Sequence, residues 1–302
     1  MAQARRVGCM VLFALSALAP GAWADDLCPD KADKNRANEQ FKQAEELERG
    51  GRARDAYSAA EKVNSECLAN YPAWDTLKKR LAKTLAGEEE KKSRFPEAFD
   101  WYERAHSIAD AGRMQRKLVE AKPDDLNTVA NAIEYFARQQ DSAQEQAMRA
   151  HALKNVEKAL AAEDRQFASA TKDSMPSLDL AMNWARQAKA GEGRVRERAE
   201  KRGDSAAMED GRSFLEKALT YYRFAEKPDK EKKVRDKART LAERAASKGE
   251  GARAAGYYNI AGDSEKASAT ITQHEAQAQQ AEEARKKSFK KDQDKLEKEL
   301  GF

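Results

Sequence analysis

An eight-residue pattern of small and aromatic side chains occurs three times in this chain. It reads AFDWYERA at 98–105, ALTYYRFA at 218–225 and AAGYYNIA at 254–261. Positions one, four, five and eight of such a stretch lie on one face of an α-helix. Small residues at its ends let a neighbouring helix approach closely, and the two rings fill the space beside it. The pattern therefore predicts helices that pack against one another in pairs.

Two looser copies extend this pattern along the chain. They begin at Ala132 and Ala181, so successive copies start 34, 49, 37 and 36 residues apart. Recurrence at such intervals is typical of stacked helix-turn-helix units, each of which buries its apolar face against its neighbours.

The composition favours helix and leaves little material for a β-sheet. Alanine, glutamate, lysine, arginine and glutamine lose little conformational freedom on entering a helix, and they dominate the sequence. No stretch alternates cleanly between apolar and polar residues, as a half-buried strand would. Prolines and glycines stand where one periodic segment stops and the next begins. The predicted helices span 33–49, 53–69, 72–90, 95–109, 111–121, 125–139, 142–172, 177–190, 194–202, 205–226, 229–248, 251–261 and 264–299.

Two stretches resemble the tetratricopeptide repeat, in which small and aromatic residues occupy fixed points of two packed helices with a period of about 34 residues. In AAGYYNIAGDSEKASA, Ala255 and Tyr258 match the first helix, Gly262-Asp263 the turn and Ala267 the second helix. QAEELERGGRARDAYSAAEKV follows the same order. The resemblance implies an all-α fold, a right-handed α-α solenoid of helix-turn-helix repeats, with an extended surface that binds a protein or peptide.

The first residues have the pattern of a secretory signal peptide. Arg5 and Arg6 precede an apolar run, and an A-x-A site ends at Ala24. The apolar run is about a dozen residues, whereas a helix that spans a bilayer needs about twenty. We expect cleavage after Ala24 and a periplasmic protein, with secretion from the cell or a retained membrane anchor as the alternatives.

Two cysteines, Cys28 and Cys67, remain after this cleavage. In an exported protein they are expected to form one disulfide that ties the N-terminus to the second helix. Neither has a second cysteine or a histidine at metal-ligand spacing, so a metal site has little support.

The sequence contains no recognisable catalytic or cofactor motif. It has no nucleophile elbow and no glycine-rich phosphate loop. His106, His151 and His274 have no partner at ligand spacing. The run Glu88–Glu90 precedes two lysines at a helix end, and we expect it to be solvated rather than catalytic. The prediction is a protein that is not an enzyme and that uses no metal or cofactor.

The charges suggest solvated helix faces rather than a strong field. The 56 basic and 52 acidic residues are interleaved, and the formal net charge is +4, which gives no argument for nucleic-acid binding. The segment 275–302 is predicted to be a long polar C-terminal helix, because charge surrounds its few apolar residues. Its basic cluster at 285–291 leaves contact with membrane headgroups as a less favoured alternative.

These observations predict a signal peptide at 1–24, a helical repeat domain at 25–274 and a charged tail at 275–302. The paired aromatics have two interpretations, core packing, which we favour, and partner binding by one outward ring of each pair, with Tyr222 and Tyr258 inside. The candidates for partner binding are Trp101, Tyr135, Tyr221 and Tyr257.

The predicted function is that of a non-enzymatic periplasmic scaffold that binds a protein or peptide partner in the cell envelope. Two alternatives remain open at this point. One is a structural envelope protein that associates with itself, and the other is a helical protein with a small-ligand pocket between its helices.

Overall fold

A computed structural model describes Cys28, residues 30–168 and residues 175–300 of the chain. Within that part of the chain every regular element is a helix, so the all-α prediction is confirmed. The predicted signal peptide and its cleavage site at Ala24 lie outside the described residues. The helices are α1 (Lys31–Arg49), α2 (Ala53–Glu61), α3 (Tyr71–Lys91), α4 (Phe95–Arg104), α5 (Ile108–Ala121), α6 (Leu126–Arg138), α7 (Ser142–Ala168), α8 (Met175–Ala188), α9 (Glu192–Ala207), α10 (Arg212–Phe224), α11 (Pro228–Ser247), α12 (Gly251–Ala261) and α13 (Ser264–Leu300), with a short 3-10 helix at Ser65–Cys67.

The predicted helix boundaries differ from the structure in two informative places. The predicted helix 53–69 ends at Glu61, and the 3-10 helix that follows brings Cys67 to Cys28, with their Cα atoms 5.0 Å apart. The two cysteines therefore lie at disulfide distance, as the expected pairing requires. The predicted break near residue 203 is wrong, because α9 continues to Ala207 and the break comes at 208–211.

The chain divides into two compact units, Met1–Leu118 and Val119–Phe302. In the first unit, α2 packs against α1 and α3, and α3 packs against α4. The core between them consists of alanines and leucines with one large ring, Tyr57, and Trp101 packs on it from the side. A second small core surrounds the disulfide, where Trp74 covers the two cysteines and Val63.

In the second unit each helix from α6 to α12 contacts the next helix along the chain. Helices α6 and α10 also contact the helix two places ahead, α8 and α12. The core of α9 to α13 is built from alanines, and the rings of Tyr222, Tyr257 and Tyr258 fill the spaces that these small residues leave.

One turn geometry follows every copy of the repeated pattern. The residue directly after the eighth position has a positive φ in all five copies, between 51° and 87°. The next backbone N–H then donates to the carbonyl of pattern position five, for example Ser107 to Tyr102 at 2.9 Å and Asp263 to Tyr258 at 2.9 Å. This bond satisfies a carbonyl that the ending helix leaves open. The residues with positive φ are His106, Gln140, Lys189, Glu226 and Gly262.

Candidate functional site

The four aromatic candidates for partner binding lie at pattern position four, and three of them are buried. Tyr135, Tyr221 and Tyr257 are 2%, 4% and 3% exposed. The hydroxyl of Tyr257 donates to the backbone carbonyl of Asp210 at 2.7 Å. Trp101 is half-buried, edge-on to the ring of Tyr57 with 4.9 Å between the centroids. This placement agrees with the core-packing interpretation.

The hypothesis that Tyr221 and Tyr257 face outward while Tyr222 and Tyr258 lie inside does not describe the structure. All four rings are buried. A surface for a partner therefore has to be sought elsewhere.

An open groove of about 550 Å³ lies on the first unit, between α3 and the turn that joins α4 to α5. Its volume is within the range of ligand-binding clefts. Three of its lining side chains are cationic, three carry hydroxyls, and none is a carboxylate. The lining residues are Thr76, Lys79, Arg80, Lys83, Thr84, Ala105, His106 and Ser107.

The sequence of α3 explains why this wall is polar. Leu77, Leu81 and Leu85 recur every four residues and are buried in the core of the first unit. Thr76 and Thr84, each directly before one of these leucines, are exposed and lie about two helical turns apart. The start of the helix is capped, since the Asn70 side chain accepts the backbone N–H of Ala73 at 3.2 Å.

Each cation of the groove is held by a carboxylate that flanks the groove. Lys79 donates to Asp75 at 2.6 Å, and Lys83 lies 3.2 Å from Asp110. Arg80 makes two hydrogen bonds to Glu48, each 2.6 Å long. These ion pairs hold the guanidinium and ammonium groups beside the groove.

The cations are more exposed than their carboxylates in the two pairs that join different helices. The Arg80 side chain is 57% exposed against 25% for Glu48, and Lys83 is 63% exposed against 26% for Asp110. The positive ends thus face the solvent, and the negative ends lie against the protein.

Two of the flanking carboxylates have depressed pKa values, which keeps them ionised. The hydrogen bond from Arg80 holds the pKa of Glu48 below its usual value. Hydrogen bonds from Ser107 and Arg113 lower the pKa of Asp110 to about 2. At neutral pH both carboxylates are therefore charged and keep their cations in place.

The second wall of the groove is the turn after α4. His106 there has a φ of 53° and is exposed, and the Ser107 hydroxyl donates to Asp110 at 2.6 Å. His106 is therefore the left-handed residue of this turn.

Two of the three carboxylates at the end of α3 are less solvated than expected, although Glu88 is exposed. Glu89 is only 3% exposed and binds Arg54, Lys92 and Arg94. Glu90 accepts hydrogen bonds from Arg113, Lys117 and Tyr102, and these donors, Arg113 first, lower its pKa to about 2. Both glutamates are therefore structural anions, held by cations from other parts of the first unit.

The groove itself was not predicted. The stretch TLKKRLAKT at 76–84 contains its signal, because leucines and alanine occupy one face of this helix and cations with threonines occupy the other. The opposite wall comes from residues more than twenty positions away, and the sequence gives no indication that they meet α3.

No cluster of three or more His, Cys, Asp or Glu side chains among the described residues is arranged to hold a metal ion. No helix in that part of the chain combines the length and apolarity needed to cross a membrane.

Comparison with known proteins gives no match for this chain, either to a protein-family model or to a curated protein.

Proposed function

We propose that this chain is an exported, non-enzymatic scaffold that binds a protein or peptide partner in the periplasm. The single observation that carries the binding role is the open groove on α3, whose cations are fixed by flanking carboxylates. A preformed polar surface on a rigid helix suits recognition, because little side-chain freedom is lost when a partner docks.

We further propose that the helices form a right-handed solenoid similar to tetratricopeptide repeats. Two features support this arrangement in the second unit. Each helix contacts its neighbours along the chain, and the same left-handed turn follows each copy of the repeated pattern. Solenoids of this type use extended surfaces to hold partners.

Export is supported by the N-terminal signal pattern and by the disulfide between Cys28 and Cys67. Disulfides of this kind persist in oxidising compartments such as the periplasm.

The binding role can be tested with a library of random peptides displayed on phage and selected on the purified chain. The substitution Thr84→Trp fills the groove from an exposed position and leaves the core of the unit untouched. We expect selected peptides to bind the wild-type protein and to lose binding to Thr84→Trp, while Thr220→Trp, at an exposed threonine of α10, keeps it. Circular dichroism checks that both variants fold. Peptides that bind both variants equally, or no selected peptide at all, would contradict a binding role for the groove.

One observation favours the alternative that this protein associates with itself. On α13, every side chain in the range 271–296 is exposed, including Phe289 at 72% and Leu296 at 56%. Light scattering at micromolar concentration tests it. A stable dimer that Phe289→Lys dissociates would favour self-association, and a monomer would favour the scaffold.

A further inference from the structure

We propose that the groove on α3 receives a short, extended, acidic segment of the partner protein, with carboxylates at alternate positions. This inference rests on the proposed binding function and specifies the chemistry of the partner. It starts from the lining of the groove, in which Lys79, Arg80 and Lys83 lie with His106 and three hydroxyl groups, with no carboxylate among them.

The cations retain the capacity to bind a second anion. A lysine ammonium has three donors, and Lys79 uses one of them on Asp75. A guanidinium has five donors, and Arg80 uses its Nε and Nη2 groups on Glu48. The flanking carboxylates thus position the cations without using all their donors, and all three cations line the groove.

The spacing of the cations matches an extended chain. Lys79 and Lys83 are four residues apart on one helix face, which separates their Cβ atoms by about 6 Å. Alternate side chains of an extended peptide lie on one side about 6.6 Å apart. The stripe from Thr76 to Thr84 is about 12 Å long, which is the length of about four extended residues.

The hydroxyl groups suit the backbone of such a segment. Thr76 and Thr84 donate to carbonyls of their own helix, at 2.8 Å and 3.1 Å, and their oxygens can accept peptide N–H groups. The groove therefore offers cations to the side chains and acceptors to the main chain of one extended peptide.

The test measures fluorescence anisotropy of a fluorescein-labelled Glu-Ser-Glu-Ser-Glu peptide with the full chain at low ionic strength. A Gln-Ser-Gln-Ser-Gln peptide and a Glu-Glu-Glu-Ser-Ser peptide are the matched probes for charge and spacing. We expect the alternating acidic peptide to bind at least about tenfold more tightly than the glutamine peptide, and more tightly than its rearranged isomer. Equal binding of all three would overturn the proposal.

The groove variant is Lys79→Gln with Lys83→Gln, and the control is Lys158→Gln with Lys201→Gln. The control lysines also form one pair within a helix and one between elements, at 2.7 Å to Glu197 and 2.7 Å to Asp124. Both variants remove two positive charges, and glutamine keeps helix propensity close to that of lysine. We expect about a tenfold loss of affinity in the groove variant and little change in the control. An equal loss in both would show nonspecific charge attraction and overturn the proposal.

Two further measurements test the proposal without the groove variant. If the groove variant fails to fold, a salt titration of the wild-type complex takes its place, because contacts between exposed charges weaken as ionic strength rises. Binding that salt leaves unchanged would overturn the proposal, as would tighter binding to phosphatidylglycerol vesicles than to the acidic peptide. If library peptides sensitive to Thr84→Trp prove neutral or basic, this inference falls while the scaffold function stands.

Discussion

At the scale of single residues, the second unit contains a buried carboxylate that is paired with an arginine. Glu163 is completely buried in α7, and Arg202 of α9 binds it with two hydrogen bonds of 2.8 Å and 3.0 Å. Arg202 also stacks on Phe167, with its guanidinium carbon 3.8 Å from the ring centroid. A charge in such a place is tolerated only because its partner compensates for the lost hydration.

Removing the carboxylate of Glu163 should therefore be costly. We expect Glu163→Ala to lower the free energy of unfolding by about 3 to 5 kcal/mol, because Arg202 loses its main buried partner. Urea denaturation measures this change. The control is Glu157→Ala on the same helix, where a half-exposed carboxylate pairs with Arg194, and we expect a loss below about 1 kcal/mol. Similar losses in the two variants would contradict the structural role of Glu163.

The network around Glu90 predicts how the first unit responds to acid. The pKa values of Glu90 and Asp110 are both lowered to about 2 in the folded protein. A depressed folded-state pKa contributes stability above the unfolded-state value, and that contribution is lost as the pH falls through the folded-state value. Stability should therefore fall between about pH 4.5 and pH 2.

The variant Glu90→Gln tests this acid dependence. We expect it to be less stable than the wild type at pH 7 and to lose less stability on acidification, because one of the titrating groups is gone. Thermal unfolding followed by circular dichroism at several pH values gives the comparison. Parallel pH profiles for the two proteins would show that Glu90 does not contribute.

At the scale of single helices, two glycines show that the effect of an added side chain depends on packing as well as on helix propensity. Gly87 in α3 has no neighbouring atom within 4 Å of an added Cβ. Gly203 in α9 lies against α10, where an added Cβ would be 2.7 Å from the ring of Tyr222. Glycine lowers helix propensity at both positions, and only the packing distinguishes them.

Alanine substitutions at these two glycines should change stability in opposite directions. We expect Gly87→Ala to raise the free energy of unfolding by up to about 1 kcal/mol, the gain in helix propensity. Gly203→Ala should lower it by about 1 to 3 kcal/mol, because the ring of Tyr222 has to move and its hydrogen bond to Asp204 at 2.8 Å is disturbed. Urea denaturation measures whether each substitution raises or lowers the free energy of unfolding. A higher value for Gly203→Ala would mean that α9 and α10 are packed more loosely than described.

At the scale of the whole molecule, we predict that the protein is exported and that the disulfide stabilises it. Expressed in a bacterium with a periplasm, the chain should be recovered there with the N-terminal sequence Asp25-Asp26-Leu27. Reduction should lower its stability by up to about 4 kcal/mol, because the bond closes a loop of about forty residues. N-terminal sequencing and urea denaturation with and without dithiothreitol are the measurements. A protein retained in the cytoplasm with its leader intact would contradict export.

Much of the fold is local and could be predicted from the sequence. The helix α12 has the predicted ends, and most other helix ends differ from the prediction by only a few residues. Turn positions after the repeated pattern are local too, because the helix carbonyls and the next N–H groups that form them lie within six residues of each other. The pairing of Cys28 with Cys67 needed only a count of cysteines and an oxidising compartment.

Burial, ion pairing and the groove depend on residues far apart in the sequence, and only the tertiary structure determined them. It buried Tyr221 and Tyr257, continued α9 through Gly203, and surrounded Glu89 with cations from α2 and from the turn after α3. It also placed His106 opposite Lys83 to form the groove. Helix formation is determined by residues within a few turns of one another, whereas burial, ion pairing and clefts are determined by side chains that folding brings together from far apart in the chain.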